Sequence, residues 1–321
     1  MSPPVVWGFV GAGGVARRRM LPALRGCREV RLGAVMVRDQ ARAEALAAEF
    51  GVARAYDRVE ALLADSELEA VYIATPPDQH AAQVIAAARA GKHVLVEKPM
   101  ALSVADCDAM LAAAREHAVR LAVCFPLRHD WGVQQLRATL ASGALGELTV
   151  LRAQMVKPYP LPPGSWRADP RQAGGGVLMD LGSHLLDLAV WLGGPLAALH
   201  AELATSNGRA VEDTAAVLLR FAGGALGTLE MSWVVGAPAY AIELGATAGR
   251  AVLDGEELRL LSPTGETRAR VPGDDTYRRE LLDFGAALRA GRPAATSGED
   301  GRTNTAWLAA AYRGGRGAGR A

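Results

Sequence analysis

The chain has 321 residues, of which half are hydrophobic and 21% charged, so it is long enough for two globular domains, each with its own core. Its 35 basic and 34 acidic side chains leave a net charge of +1, which gives no single-signed field for holding nucleic acid or an anionic membrane. Cys27, Cys107 and Cys124 are widely spaced and form no C-x-x-C pair, which argues against a disulfide scaffold or structural zinc and fits a reducing compartment.

The elements read as follows in chain order. Residues 5–10 are a β-rich run broken by Gly11-Ala12-Gly13-Gly14, and 15–24 read as a helix. Strands are expected at 31–37, 70–74, 93–96 and 120–125, alternating with helices at 40–50, 79–90 and 104–117. That alternation means βαβ units on a parallel sheet. Arg17-Arg18-Arg19 follow the first apolar segment instead of preceding it, which is not the order of a signal peptide, and no uninterrupted apolar run reaches about 18 residues. The expected location is therefore the cytoplasm, with no membrane span.

Beyond Phe125 the pattern changes. A helix at 131–141 and a strand at 147–156 precede a loop holding Pro158, Pro160, Pro162 and Pro163. The glycine triplet 174–176 then opens a helix over 178–192. Strands follow at 199–206, 215–221, 225–233, 239–246, 250–253 and 257–261, separated by glycine-containing turns, which indicates a mainly antiparallel sheet. Helices at 276–289 and 302–312 close the chain. The expected organisation is an α/β dinucleotide-binding domain over 1–125 and an α+β domain with an open sheet over 126–312. A tail over 313–321 has too little apolar surface to order itself.

Gly11-Ala12-Gly13-Gly14-Val15-Ala16 fits G-x-G-x-x-G/A between a strand and a helix. The first glycine allows the tight turn, the second lets backbone approach a pyrophosphate, and the small sixth residue lets helix and strand pack closely. The helix N-terminus then offers N–H groups to the phosphates. A Rossmann domain is expected. An acid about 20 residues further on would hold an NAD ribose, whereas an arginine there accommodates the 2′-phosphate of NADP. That count reaches Met36 and Val37, followed by Arg38, which favours NADP; Asp39 keeps NAD open.

Only three of the 35 cations are lysines, namely Lys92, Lys98 and Lys157, a compositional bias that makes each one worth examining. Lys98 lies in Glu97-Lys98-Pro99 at the end of a strand, and ligands of open parallel sheets bind beyond the carboxyl ends of the strands. A cis Lys98–Pro99 bond is one way to aim the side chain inward, while Lys92 reads as a loop cation. Asp180 and His184 stand four apart on a helix, one turn from each other, with Asp187 near the same stripe. A histidine beside a carboxylate can trade a proton near neutral pH. The spacing also suits a metal, but no third ligand motif supports one, so no metal is expected.

These stretches together resemble the glucose–fructose oxidoreductase / inositol dehydrogenase (Gfo/Idh/MocA) family. The resemblance is carried by 8–16, ATPPDQH at 74–80, AGKHVLVEKP at 90–99, GALGEL at 143–148, WRADPRQAGGGVLMDLGSHLLDLAVWL at 166–192 and VEDTAAVLLRF at 211–221. It implies that Lys98, Asp180 and His184 form the catalytic group and that Thr75, Pro76, His80 and Glu97 lie along the cofactor. Val37 stands where NAD-using relatives often have an acid. The expected reaction is hydride transfer between nicotinamide and a carbonyl or hydroxyl carbon of a small molecule, such as a sugar, nucleotide sugar or cyclic polyol. His184 is the first candidate for proton donor and Lys98 would polarise the oxygen. Arg128, Trp166 and Arg167 are further candidates for substrate contact. A homodimer or homotetramer is expected from the resemblance. Two other readings stay open: a non-catalytic dinucleotide sensor, and a hydrolase or epimerase that uses NAD transiently.

Overall fold

The computed structural model describes residues 3–162, 164–206, 208–273 and 275–314. They divide into two compact units, one made of the chain up to Pro126 together with Asp275–Thr305, the other of Leu127–Asp274 and the residues from Ala306 onward.

The first unit is built on β1 (Val5–Val10), whose exit turn leads into a π-helical stretch at Ala16–Met20 and α1 (Leu21–Ala23). There follow β2 (Val30–Met36), α2 (Gln40–Phe50), β3 (Arg54–Tyr56), α3 (Val59–Leu63), β4 (Ala70–Ile73), α4 (His80–Arg89), β5 (His93–Glu97), α5 (Val104–Glu116) and β6 (Leu121–Cys124). The strands pair in parallel in the order β3-β2-β1-β4-β5-β6. After β1 the chain builds outward on one side and then returns to the other, so the switch of direction falls between β1 and β4, where such sheets bind ligands. Every residue of β1 is buried, because a parallel sheet is covered on both faces. Val5, Trp7 and Phe9 enter one core, Val6 and Val10 the other.

In the second unit, α6 (Trp131–Ala141) and β7 (Leu148–Val156) precede α7 (Pro170–Ala173), and a π-helical turn at Leu178–Gly182 runs into α8 (Ser183–Gly193). The sheet is completed by β8 (Leu196–Ala204), β9 (Thr214–Phe221), β10 (Leu226–Ser232), β11 (Ala239–Ala246), β12 (Gly249–Asp254), β13 (Glu257–Ser262) and β14 (Gly265–Arg270). Its order is β14-β13-β12-β11-β7-β10-β9-β8, antiparallel throughout except for β7 beside β10. Val217, Leu219, Leu229, Met231, Ile242 and Leu244 join Leu185, Leu186 and Ala189 of α8 in one core. The stretch Pro170–Gly193 is long and apolar enough to cross a membrane by length and composition, but 78% of its apolar 18-residue window is buried inside the protein, as befits a core segment.

The last two helices, α9 (Thr276–Ala290) and α10 (Gly298–Gly314), depart from the expected organisation. The sequence reading assigns all of 126–312 to one domain, yet α9 packs in the first unit. Its Phe284 meets Trp7 at a centroid distance of 5.3 Å, and Leu281 joins the same core. Arg289 pairs with Glu69 at 2.6 Å. A parallel sheet needs an apolar cover on each face, and α9 supplies part of one from far along the chain. Helix α10 begins four residues earlier than its propensity indicates, since a Cβ at Gly298 or Gly301 would lie 2.7 Å from Leu111 or 2.3 Å from Val123. Arg313 and Gly314 are helical and so are not part of a disordered tail; 315–321, and Pro163 of the proline-rich loop, lie outside the described residues.

Candidate active site

The turn after β1 is shaped by three different demands. Gly11 has φ +74°, and a Cβ there would sit 2.8 Å from the Thr75 nitrogen and 2.9 Å from the Ala74 carbonyl carbon. Glycine therefore lets this turn press against the end of β4. Gly13 and Gly14 are the opposite case: nothing lies within 4 Å of where their Cβ atoms would be, and both are exposed. Ala16 is fully buried at the start of the helical stretch, and Val15 precedes it. The result is a bare backbone cradle at a helix start, which fits a pyrophosphate.

Beyond β2, Val37 donates its N–H to the Tyr56 carbonyl, and the next two residues are exposed. Asp39 is the N-cap of α2, its Oδ1 accepting the Arg42 N–H at 2.8 Å. Arg38 is the exposed cation immediately after the strand.

The ends of β4 and β5 are tied by His80. Its ring is fully buried, with Nε2 at 2.9 Å from the Thr75 carbonyl and Nδ1 at 3.1 Å from that of Pro99 and 3.3 Å from that of Met100. Burial lowers its pKa below the ordinary imidazole range despite those carbonyls. His80, expected along the cofactor, thus ties the ends of β4 and β5 to each other from a buried position. Thr75 turns its Oγ1 to Gln83 at 2.6 Å, and Pro76 precedes the short turn into α4. Glu97 is also buried, accepting the Tyr72 hydroxyl at 2.5 Å and the Lys98 N–H at 3.1 Å, so it too braces the strand end. Burial raises its pKa, with the Lys98 cation opposing. Lys98 is half-buried and the Lys98–Pro99 bond is cis.

Lys92 is a loop cation, between α4 and β5, but a buried one. It is 7% exposed, and its Nζ donates to the Asp65 and Leu68 carbonyls at 2.7 and 2.8 Å. Glu280 of α9, which stands in no motif, accepts the Phe125 N–H at 2.7 Å and the Cys124 thiol at 2.9 Å, fixing the end of β6. Only its place in an amphipathic helix marks it in the sequence.

In the second unit, Asp180 and His184 are both half-buried. Asp180 lies in the π-helical turn Leu178–Gly182 and His184 in the first turn of α8, so the expected continuous α-helix from 178 gives way to a wider turn between them. A Cβ at Gly182 would lie 2.9 Å from the Met231 sulfur, so this turn packs closely on β10. Arg128, a candidate substrate contact, is buried and paired with Asp187. It is 4% exposed and binds both oxygens of buried Asp187, at 2.9 and 2.6 Å. The Arg167 guanidinium stacks on Trp166 at 4.3 Å and lies 5.8 Å from the Tyr159 ring, so Trp166 and Arg167 form one half-buried aromatic–cation cluster.

Comparison with known proteins agrees with this fold. Residues 5–125 match the oxidoreductase family with NAD-binding Rossmann fold, and 133–252 match the GFO/IDH/MocA C-terminal domain. The chain is 31% identical over 310 residues to the 1,5-anhydro-D-fructose reductase of Ensifer adhaerens, an alignment covering 92% of this chain and 91% of that one. It is 32% identical over 305 residues to the dTDP-3,4-didehydro-2,6-dideoxy-alpha-D-glucose 3-reductase of Saccharopolyspora spinosa, with 91% and 90% covered. The crystal structure of aldose-aldose oxidoreductase from Caulobacter crescentus complexed with glycerol superposes with a TM-score of 0.91 at 25% identity, covering 98% of each chain. The chain belongs to the GFO/IDH/MocA oxidoreductase family. It is an oxidoreductase that uses a nicotinamide dinucleotide.

Proposed function

We propose that the protein is an NADP-preferring oxidoreductase that interconverts a carbonyl and a secondary alcohol on a sugar, nucleotide sugar or cyclic polyol. One observation carries the reading: an unbroken line of contacts within the first unit joins the phosphate cradle to the lysine. Gly11 presses on Thr75, the Thr75 carbonyl meets His80, and His80 meets Pro99, the residue after Lys98. The cradle and the Lys98 strand end are thus set by one packed group at the carboxyl edge of the sheet, where such folds do their chemistry.

Gly11, Gly13, Gly14, Val15 and Ala16 would hold the pyrophosphate, with Arg38 beside the 2′-phosphate. The bound nicotinamide supplies or accepts the hydride. The remaining chemistry belongs to the protein. Lys98 places a cation beside the oxygen as negative charge develops there. His184 gives that oxygen its proton in reduction and removes it in oxidation, which is worth about 10²–10⁴-fold in rate. Asp180 orients His184 or accepts a substrate hydroxyl. Trp166 and Arg167 offer an aromatic face and a cation for the rest of the substrate.

The substrate class rests on the relatives named above, which are sugar and nucleotide-sugar reductases or oxidoreductases by name. Leu218 and Leu226, 53% and 43% exposed on the outer face of the second sheet, favour a homodimer or homotetramer. The three free cysteines favour a cytoplasmic setting. The test is a panel of ketoses, keto-nucleotide sugars and inosones, followed by loss of reduced-nicotinamide absorbance with NADPH and with NADH. Turnover faster with NADPH supports the reading. Substrate consumed without net cofactor change would instead establish the transient-NAD alternative.

A further inference from the structure

The helix that carries Asp180 and His184 starts inside the core of the second unit, where its first N–H groups have no water to meet. An α-helix leaves four such donors at its N-terminus, and burying them unpaired is costly. Glu212, in the segment before β9, meets them. Its carboxylate Oε1 accepts the Gly176 N–H at 2.8 Å and the Leu178 N–H at 3.1 Å, while its backbone carbonyl accepts the Val177 N–H at 2.9 Å. Three consecutive donors are therefore held by one residue, itself only 8% exposed. The same Oε1 accepts the Tyr312 hydroxyl at 2.6 Å, from near the end of α10. Burial and the adjacent carboxylate hold the Tyr312 pKa far above the ordinary phenol range, so the hydroxyl stays a donor.

The glycine triplet is what lets the clamp close. A Cβ on Gly176 would lie 1.9 Å from the Glu212 carbonyl oxygen, and one on Gly175 would lie 1.9 Å from the Tyr312 hydroxyl oxygen. The clamped backbone passes directly to the functional residues. Asp180 donates its N–H to the Gly176 carbonyl at 3.0 Å, and the Ser183 hydroxyl donates to the Asp180 carbonyl at 2.8 Å.

We propose that Glu212 is a positioning residue for Asp180 and His184, acting through the clamped start of their helix, with Tyr312 locking its carboxylate. The inference rests on the reading that His184 carries the proton transfer. Removing the clamp lets the helix start shift, and a displacement of about 1 Å at a reacting group can cost about a hundredfold in rate. Cofactor binding, a property of the first unit, is untouched.

The test uses the full chain carrying Glu212→Ala, Glu212→Gln, Tyr312→Phe or His184→Ala, with steady-state kinetics, thermal unfolding and NADPH fluorescence titration. Glu212→Ala is expected to lower kcat at least tenfold with NADPH affinity unchanged. Glu212→Gln, whose amide oxygen still accepts the two N–H bonds, recovers most of that loss, and Tyr312→Phe lowers kcat roughly threefold, the worth of one ordinary hydrogen bond. Should Glu212→Ala fail to fold, Tyr312→Phe decides. Unchanged kcat in the folded variants, with only the melting temperature lowered, overturns the positioning role while leaving the proposed function standing. Near-normal turnover in His184→Ala overturns the proton-transfer role of His184 and the positioning role together, while the oxidoreductase reading is judged by the substrate panel.

Discussion

The carboxylate of Asp39 accepts the Arg42 backbone N–H at 2.8 Å, so the first acid after β2 is spent on capping α2. On the proposed NADP reading, the neighbouring exposed Arg38 is the side chain that meets the 2′-phosphate of the adenosine ribose. Arg38→Ala is accordingly expected to raise the KM for NADPH about tenfold, the value of a charge-assisted hydrogen bond, and to leave the KM for NADH nearly unchanged. Asp39→Ala should lower stability by about 1 kcal/mol, the cost of a lost N-cap, without a comparable NADH effect. Equal effects of Arg38→Ala on both cofactors would argue against an NADP preference.

Arg128 and Asp187 form a bidentate pair with side chains 5% and 3% exposed. Removing one partner of such a pair strands a buried charge at a cost of about 3–5 kcal/mol. Asp187→Ala should therefore unfold at markedly lower urea concentration, while the double variant Arg128→Met/Asp187→Leu recovers most of the loss because neither charge remains. A double variant as unstable as the single one would contradict this.

Much of the fold was legible because its signals are local. The β1–glycine–helix sequence, the strand and helix alternation to Phe125 and the succession of strands afterwards are periodic patterns confined to a few turns. The misses share a different origin. β3 has three residues and β14 is an edge strand of exposed, charged residues, Glu266, Arg268 and Arg270 among them, so neither carries an apolar repeat. The place of α9 depends on Trp7, nearly 280 residues earlier, which no local pattern encodes. In the site, Lys98, Asp180 and His184 stood out by motif, but the supports did not. The burial of His80 and its bonds to the Thr75 and Pro99 carbonyls are tertiary facts that no local motif encodes. Glu212 and Tyr312 are 100 residues apart and meet only through the folded glycine triplet.

Glu97 gives a pH-dependent consequence. Burial raises its carboxyl above the ordinary value of 4.5, so the folded protein holds this proton at pH values where the unfolded chain has released it. Its contribution to stability is therefore full below about pH 4.5, the unfolded pKa, and is lost as pH rises through the folded one. Glu97→Gln, which keeps an acceptor for the Tyr72 hydroxyl, removes that loss. The melting temperature of the variant relative to the wild type should rise from acid to neutral pH. A relative fall over the same range would show that the ionised carboxylate is the stabilised form.

The most direct test of the proposed chemistry is single-turnover oxidation of bound NADPH by Lys98→Met and His184→Ala, using a substrate identified from the panel. NADPH affinity should match the wild type in both variants, while the hydride-transfer rate falls by about 10²–10⁴-fold in His184→Ala and by a comparable factor in Lys98→Met. Hydride transfer at the wild-type rate in either variant would contradict the role given to that residue.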